Sequence, residues 1–168
     1  TVTYADRDGH IMHFFGGLTP IRAKGNYDWA GNVAGDTSET LWTKSHPYEE
    51  LPCVVDPPSG WLQNANDPPW TTTFPAALDP NKFPSYMTPR FFPFRAQRSV
   101  RMLDEDQQIT FGELIKYKHS TRMELADRIL DDLIAVARRS ENRKVRQAAE
   151  VLAAWDHCAD AESRGAVL

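Results

Sequence analysis

The stretch SGWLQNANDPPW, residues 59–70, concentrates the residues of this chain whose types and spacing could do chemistry. Asn64 and Asn66 carry amides that both donate and accept hydrogen bonds. Asp67 follows, and then a Pro-Pro pair that neither a central strand nor a helix interior accommodates. The segment Trp61-Leu62-Gln63 is a strand candidate, so the motif reads as a strand that stops abruptly and presents amides at its tip. On residue chemistry alone, Asn66 is either a turn-former ahead of Asp-Pro or an amide donor aimed at a ligand.

Other reactive groups are less organised. The histidines are His10, His13, His46, His119 and His157, and none has the spacing of a zinc-protease helix. His10 and His13 lie at odd spacing in a β-prone run and so point to opposite faces, as structural or solvated groups rather than ligands. Neither a nucleophile-elbow serine nor a phosphate-binding glycine loop occurs. Asp6 and Asp8 lack the remaining spacing of a calcium loop. Cys53 and Cys158 read as two ordinary thiols, and whether they meet is left open. A terminal threonine can be a nucleophile with its own amine as base, but any chain break can leave Thr1 first.

The elements that must position these groups fall into a strand-rich half followed by a helical half. VTYADRDGHIMHFF holds two short runs around Asp8-Gly9, a hairpin signal, and Gly16-Gly17 ends the second. Cys53–Val55 is a further strand. From residue 95 the pattern is helical: 96–103, a helix opened by Thr110, one over 121–139, and one over 141–155. Thr121 and Glu124 have capping-box spacing, and Met123, Ala126, Ile129, Leu130, Leu133, Ile134 and Ala137 form an apolar face. Strands followed by helices give an α+β expectation. The expected parts are a β-strand and loop part over 1–66, a Pro-rich extended connection over 67–94, and a helical part over 95–168.

The totals narrow the function. The 168 residues are 41% hydrophobic and 25% charged, the composition of a globular domain. A net charge of −4 argues against a nucleic-acid backbone as partner. No apolar run is long enough to span a bilayer.

YADRDGHI (4–11), NYDWAG (26–31), DPPSGWLQNANDPPW (56–70), RAQRSVRML (95–103) and LAAWDHC (152–158) together resemble the middle of the β-subunit of the penicillin acylase family. The resemblance spans nearly the whole chain, and the N-x-N segment is its most specific part. It implies a piece of an αββα sandwich of the N-terminal nucleophile hydrolases. In that family a self-cleaved precursor exposes a serine that attacks an amide carbonyl, with its own α-amine as base. Asn66 matches the oxyanion-binding asparagine, and Asn64 then steadies the loop through local backbone. Arg98 aligns with the active-site arginine that orients the nucleophile's amine and the oxyanion asparagine. Arg95 and Arg101 are its neighbours, and a helix-start salt bridge is the alternative for Arg98.

The resemblance further implies N-acyl amide substrates, of the β-lactam side-chain or acyl-homoserine lactone type. It implies no catalytic cofactor, with a structural calcium possible in the intact enzyme; Asp79 is not assigned to that ion. The expected partners are the α-subunit and the rest of the β-subunit, with no nucleic acid and no membrane, in the periplasm or outside the cell. The nucleophile and most acyl-pocket residues belong upstream, so this chain reads as an internal fragment, inactive alone. The rival is a non-catalytic aromatic-rich module for sugar or peptide, which would place Trp29, Trp42, Trp61 and Trp70 exposed on one face.

Overall fold

A computed structural model describes residues 1–167, which form two compact units, Thr1–Phe92 and the chain from Pro93 onward. Among the described residues, three strands and four α-helices, with short 3-10 turns between them, give the expected α+β content.

In the first unit, β1 (Val2–Ala5) and β2 (Ile11–Phe14) pair antiparallel around the Asp8-Gly9 turn. Asp6 organises that turn, accepting hydrogen bonds from the backbone N–H groups of Asp8 and His10 at 2.9 Å each. Gly9 has φ +94°, a value that favours glycine. β3 (Cys53–Val55) joins the other edge of β2, so the sheet order is β1-β2-β3. His10 caps this arrangement on the exposed side, its Nδ1 lying 2.8 Å from Asp56 Oδ2. His13 lies within the sheet, paired across to Val54, and is fully buried at 0% exposure. The opposite-face reading of these two histidines therefore holds. Gly16 ends β2 at φ +131°, against the Leu51 side chain.

Trp61–Gln63 is not a strand. The Gln63 N–H donates to Thr72 O at 2.8 Å and the Thr72 hydroxyl donates to Gln63 O at 2.6 Å. These groups are taken up by a loop, so no ladder can form there.

In the second unit, α1 (Phe94–Asp104), α2 (Phe111–Lys118), α3 (Glu124–Ala137) and α4 (Arg143–Ala153) follow the expected order. A capping box does occur, but at Thr110 and Glu113 of α2. At α3 the expected Thr121–Glu124 box is absent and Met123 is the N-cap. The cause is pairing at longer range: Met123 N–H donates to His157 O at 2.8 Å, and Ala159 N–H to Thr121 O at 3.0 Å. These bonds hold residues 121–123 extended. Glu124 turns inward instead, where Arg128 Nε donates to it at 3.0 Å and Arg101 Nη1 at 3.4 Å.

The buried stripe of α3 is narrower than its apolar pattern. Ala126, Leu130 and Ile134 are buried against Leu152 and Trp155, whereas Met123, Ile129 and Leu133 are exposed. Gly165 lies flat on Trp155, and a Cβ there would sit 2.3 Å from the indole Cγ.

His13 makes the first unit sensitive to acid. Burial pushes its pKa below the ordinary 6.5, against a smaller upward pull from Asp67, while the terminal amine acts in the same sense as burial. The unfolded chain then binds the proton first. This contribution to stability is present above about pH 6.5 and is lost as pH falls through the lower folded value. His10, raised by Asp56, acts with the opposite sign. His13→Leu is expected to flatten the loss of urea resistance between about pH 7 and about pH 5. An unchanged slope would assign that acid sensitivity to other groups.

Candidate functional site

The loop that follows Gln63 is held by the carboxylate of Asp67, which is only 3% exposed. Asp67 Oδ1 accepts from Ala65 N–H at 2.6 Å. Its Oδ2 accepts from Gln63 Nε2 at 2.8 Å and from the Thr71 hydroxyl. Gln63 Nε2 also donates to Thr71 O at 2.8 Å, and the Thr71 hydroxyl reaches Pro68 O at 2.6 Å. Pro68 and Pro69 are fully buried and fix φ immediately behind the carboxylate.

Asn66 stands at the apex of this loop. Its backbone is left-handed, φ +62°, a region asparagine tolerates better than most residues. Its N–H donates to Asn64 Oδ1 at 3.2 Å, and Asn64 Nδ2 donates to Asp67 O at 3.4 Å. Asn64 thus bonds local backbone, as expected of a loop-steadying residue. The Asn66 residue is exposed and lines a cavity of about 540 Å³ together with Asn64, Asp67, Phe15, Phe91 and Thr88. Thr1, directly before β1, lines the same cavity.

Arg98 lies on α1 in the second unit. Its Nη1 is 3.9 Å from Asp127 Oδ2, and its Nε is buried without a hydrogen-bond acceptor among the described residues. The ion pair runs to α3, so Arg98 is tied into a charge network. Arg122 binds Asp127 in a two-pronged fashion, at 2.8 and 2.7 Å. His157, at φ +64°, brings its Nδ1 within 2.7 Å of Asp127 Oδ1. These contacts, the Arg122 hydrogen bond foremost, hold the Asp127 carboxyl down at about 2. Arg101 pairs with Glu105 at 2.9 Å and with Glu124.

Two features here escaped the sequence. The accepting role of Asp67 had one local signal, a threonine four residues on at position 71, across a proline pair that can open a helical turn. The Asp127–Arg122–His157 cluster was hidden because His157 lies 30 residues from Asp127 along the chain, although Arg122 is only five residues away.

The tryptophans do not form a platform. Trp42 is 58% exposed and stacks under Arg22 at 4.1 Å, whereas Trp29, Trp61 and Trp70 are half-buried. Both cysteines are free thiols. Asp156, Cys158 and Asp160 bring ligand atoms within 4.8 Å of one another on an exposed loop. Asp156 there already accepts from Cys158 N–H and Ser163 Oγ, both at 3.0 Å. Asp79, in the Pro-rich region, caps a short turn by accepting from Asn81 N–H at 2.9 Å, and no ligand set gathers around it among the described residues.

A family model described as penicillin amidase matches residues 1–168. The chain belongs to the penicillin amidase family. Its fold matches that of the thermostable penicillin G acylase from Alcaligenes faecalis, with a TM-score of 0.64 at 21% sequence identity. The match covers 93% of this chain and 27% of that one. The chain thus has the fold of one part of a penicillin acylase, the N-terminal nucleophile hydrolase class expected from its motifs. No helix among the described residues is long and apolar enough to cross a membrane.

Asp127 provides a test of the second unit. Its pKa falls from 3.8 to about 2, so its stabilising contribution is present above the ordinary carboxylate range and lost as pH falls towards 2. That depression corresponds to roughly 2 kcal/mol at neutral pH. Asp127→Asn is expected to lower unfolding free energy by about that amount near pH 7 and by much less near pH 2. A pH-independent loss in urea titrations would contradict the ion-pair account.

Proposed function

We propose that this chain is the oxyanion-binding part of an amide hydrolase of the penicillin amidase family, with Asn66 as its side-chain donor. One observation carries the reading. Asn66 is exposed and lines a cavity, at the apex of a loop fixed by the buried Asp67 carboxylate. Electrostatic catalysis needs a donor of this kind, aimed in advance at where charge develops.

In the proposed reaction the nucleophile lies outside this chain: a serine at a newly exposed terminus, with its own amine as base. It attacks the carbonyl carbon of an N-acyl amide, and the carbonyl π-electrons move to oxygen. Asn66 Nδ2 donates to that oxyanion. Collapse of the intermediate expels the amine, which takes up the proton that the base removed from serine. Water then releases the acid from the acyl-enzyme. Arg98 is the second contribution, as the cation that orients the nucleophile's amine; its buried Nε–H retains donor capacity for this. No cofactor enters these steps, and a structural calcium would belong to the intact enzyme.

The substrates we infer are β-lactam side-chain amides or acyl-homoserine lactones, and the place of action is the periplasm or the cell exterior. The proposed partners are the α-subunit and the rest of the β-subunit. Exposed Leu125, Ile129, Leu133 and Val136, spaced along one side of α3, support burial against further protein. The isolated chain is expected to lack activity, since it holds the donor and not the serine.

In the complete enzyme, Asn66→Ala is expected to lower kcat for a chromogenic N-acyl anilide about 10²- to 10³-fold with little change in melting temperature. Unaltered turnover would remove the oxyanion assignment.

A further inference from the structure

We infer that Asp67 is a positioning residue for catalysis, setting the direction in which the Asn66 amide points. The inference rests on the oxyanion reading of Asn66 given above.

Asp67 is the neighbour of Asn66 in sequence and lines the same cavity, yet its carboxylate is buried and its oxygens are taken up within the loop. It gathers donors from three points: the Ala65 backbone N–H, the Gln63 side-chain amide and the Thr71 hydroxyl. Those points lie before and after Asn66, so the carboxylate spans the base of the turn that carries it. The left-handed Asn66 backbone, φ +62°, donates its N–H to Asn64 Oδ1, next to the Ala65 N–H that this carboxylate holds. A carboxylate suits the position because all three partners are donors and only an ionised acid offers two acceptor oxygens. An asparagine there would turn one NH₂ group towards a donor. The lost contacts would let the apex rotate, and an oxyanion donor displaced by a fraction of an ångström loses much of its effect.

The role differs from general structural support in what it predicts. Asp67 acts through Asn66, so its effect should appear in kcat rather than KM, and should vanish once the Asn66 amide is gone. In the complete enzyme, Asp67→Asn is expected to lower kcat about 10- to 100-fold with KM changed less than about 3-fold. Combined with Asn66→Ala, it should add less than about 3-fold to the loss that Asn66→Ala causes alone. Thr71→Val removes one donor to the same oxygen and is the milder variant should Asp67→Asn fail to fold. It is expected to lower kcat about 3- to 10-fold, and Thr71→Ser to restore it.

The outcomes separate the two readings. A strong effect of Asn66→Ala, with losses that multiply in the double variant, would overturn the positioning role and leave the oxyanion donor in place. So would a Thr71→Val enzyme with full kcat. Full turnover in Asn66→Ala would overturn the oxyanion reading and this inference with it.

Discussion

The first unit depends on one buried carboxylate. A charge removed from water is costly unless each of its oxygens finds donors. Asp67 meets that condition with a backbone N–H, a side-chain amide and a hydroxyl. Together they cross-link residues 63, 65 and 71, a span that has no strand partner of its own. Pro68 and Pro69 remove further freedom and two N–H groups that burial would leave unpaired. A loop built in this way is stiff without belonging to a sheet. It can therefore present Asn66 at a cavity edge, where a regular strand would have turned alternate side chains to opposite faces.

The second unit meets the same constraint by a different route. Glu124 is buried to 1% of its side-chain surface and Asp127 to 12%, and both take arginine partners instead of neutral donors. Asp127 joins α3 to Arg122 in the preceding extended segment, to His157 after α4 and to Arg98 on α1. The apolar stripe Ala126–Leu130–Ile134 packs α3 on α4, while the charges fix the strand-like segments around it. Arg138 and Glu150, both half-exposed or more, contribute less despite good distances of 2.9 and 3.1 Å.

What was legible in the sequence was local. The Asp8-Gly9 hairpin, the Cys53–Val55 strand and the four helices follow from turn chemistry and periodicity, which act within a few residues. The failures sit where distant segments compete for the same backbone. Thr121 and Glu124 have capping-box spacing, but residues 157–159 take the backbone of 121–123 and the arginines take Glu124. Gln63 has β-strand neighbours, but Thr72 takes both its N–H and its C=O. Ile129 and Leu133 fit the helical period and still face outward, because α3 covers only a narrow stripe. Asn66 and Arg98 were named through resemblance, which carries long-range information that a single sequence does not display. Asp67 stood beside Asn66 in full view, and its importance became visible only with its three donors.

On the proposed reading, the division of labour within the enzyme follows from these stiffness arguments. Acyl transfer needs a mobile group that forms and breaks a bond and a fixed group that receives charge. The fixed group gains most from an environment that does not reorganise during the reaction. In this chain that environment is complete within residues 63–72, since every donor to Asp67 comes from the same loop. The oxyanion donor is thus set by local bonds and does not require the nucleophile for its own geometry. The buried carboxylate beside Asn66 is the group through which this sequence stiffens the loop that carries it.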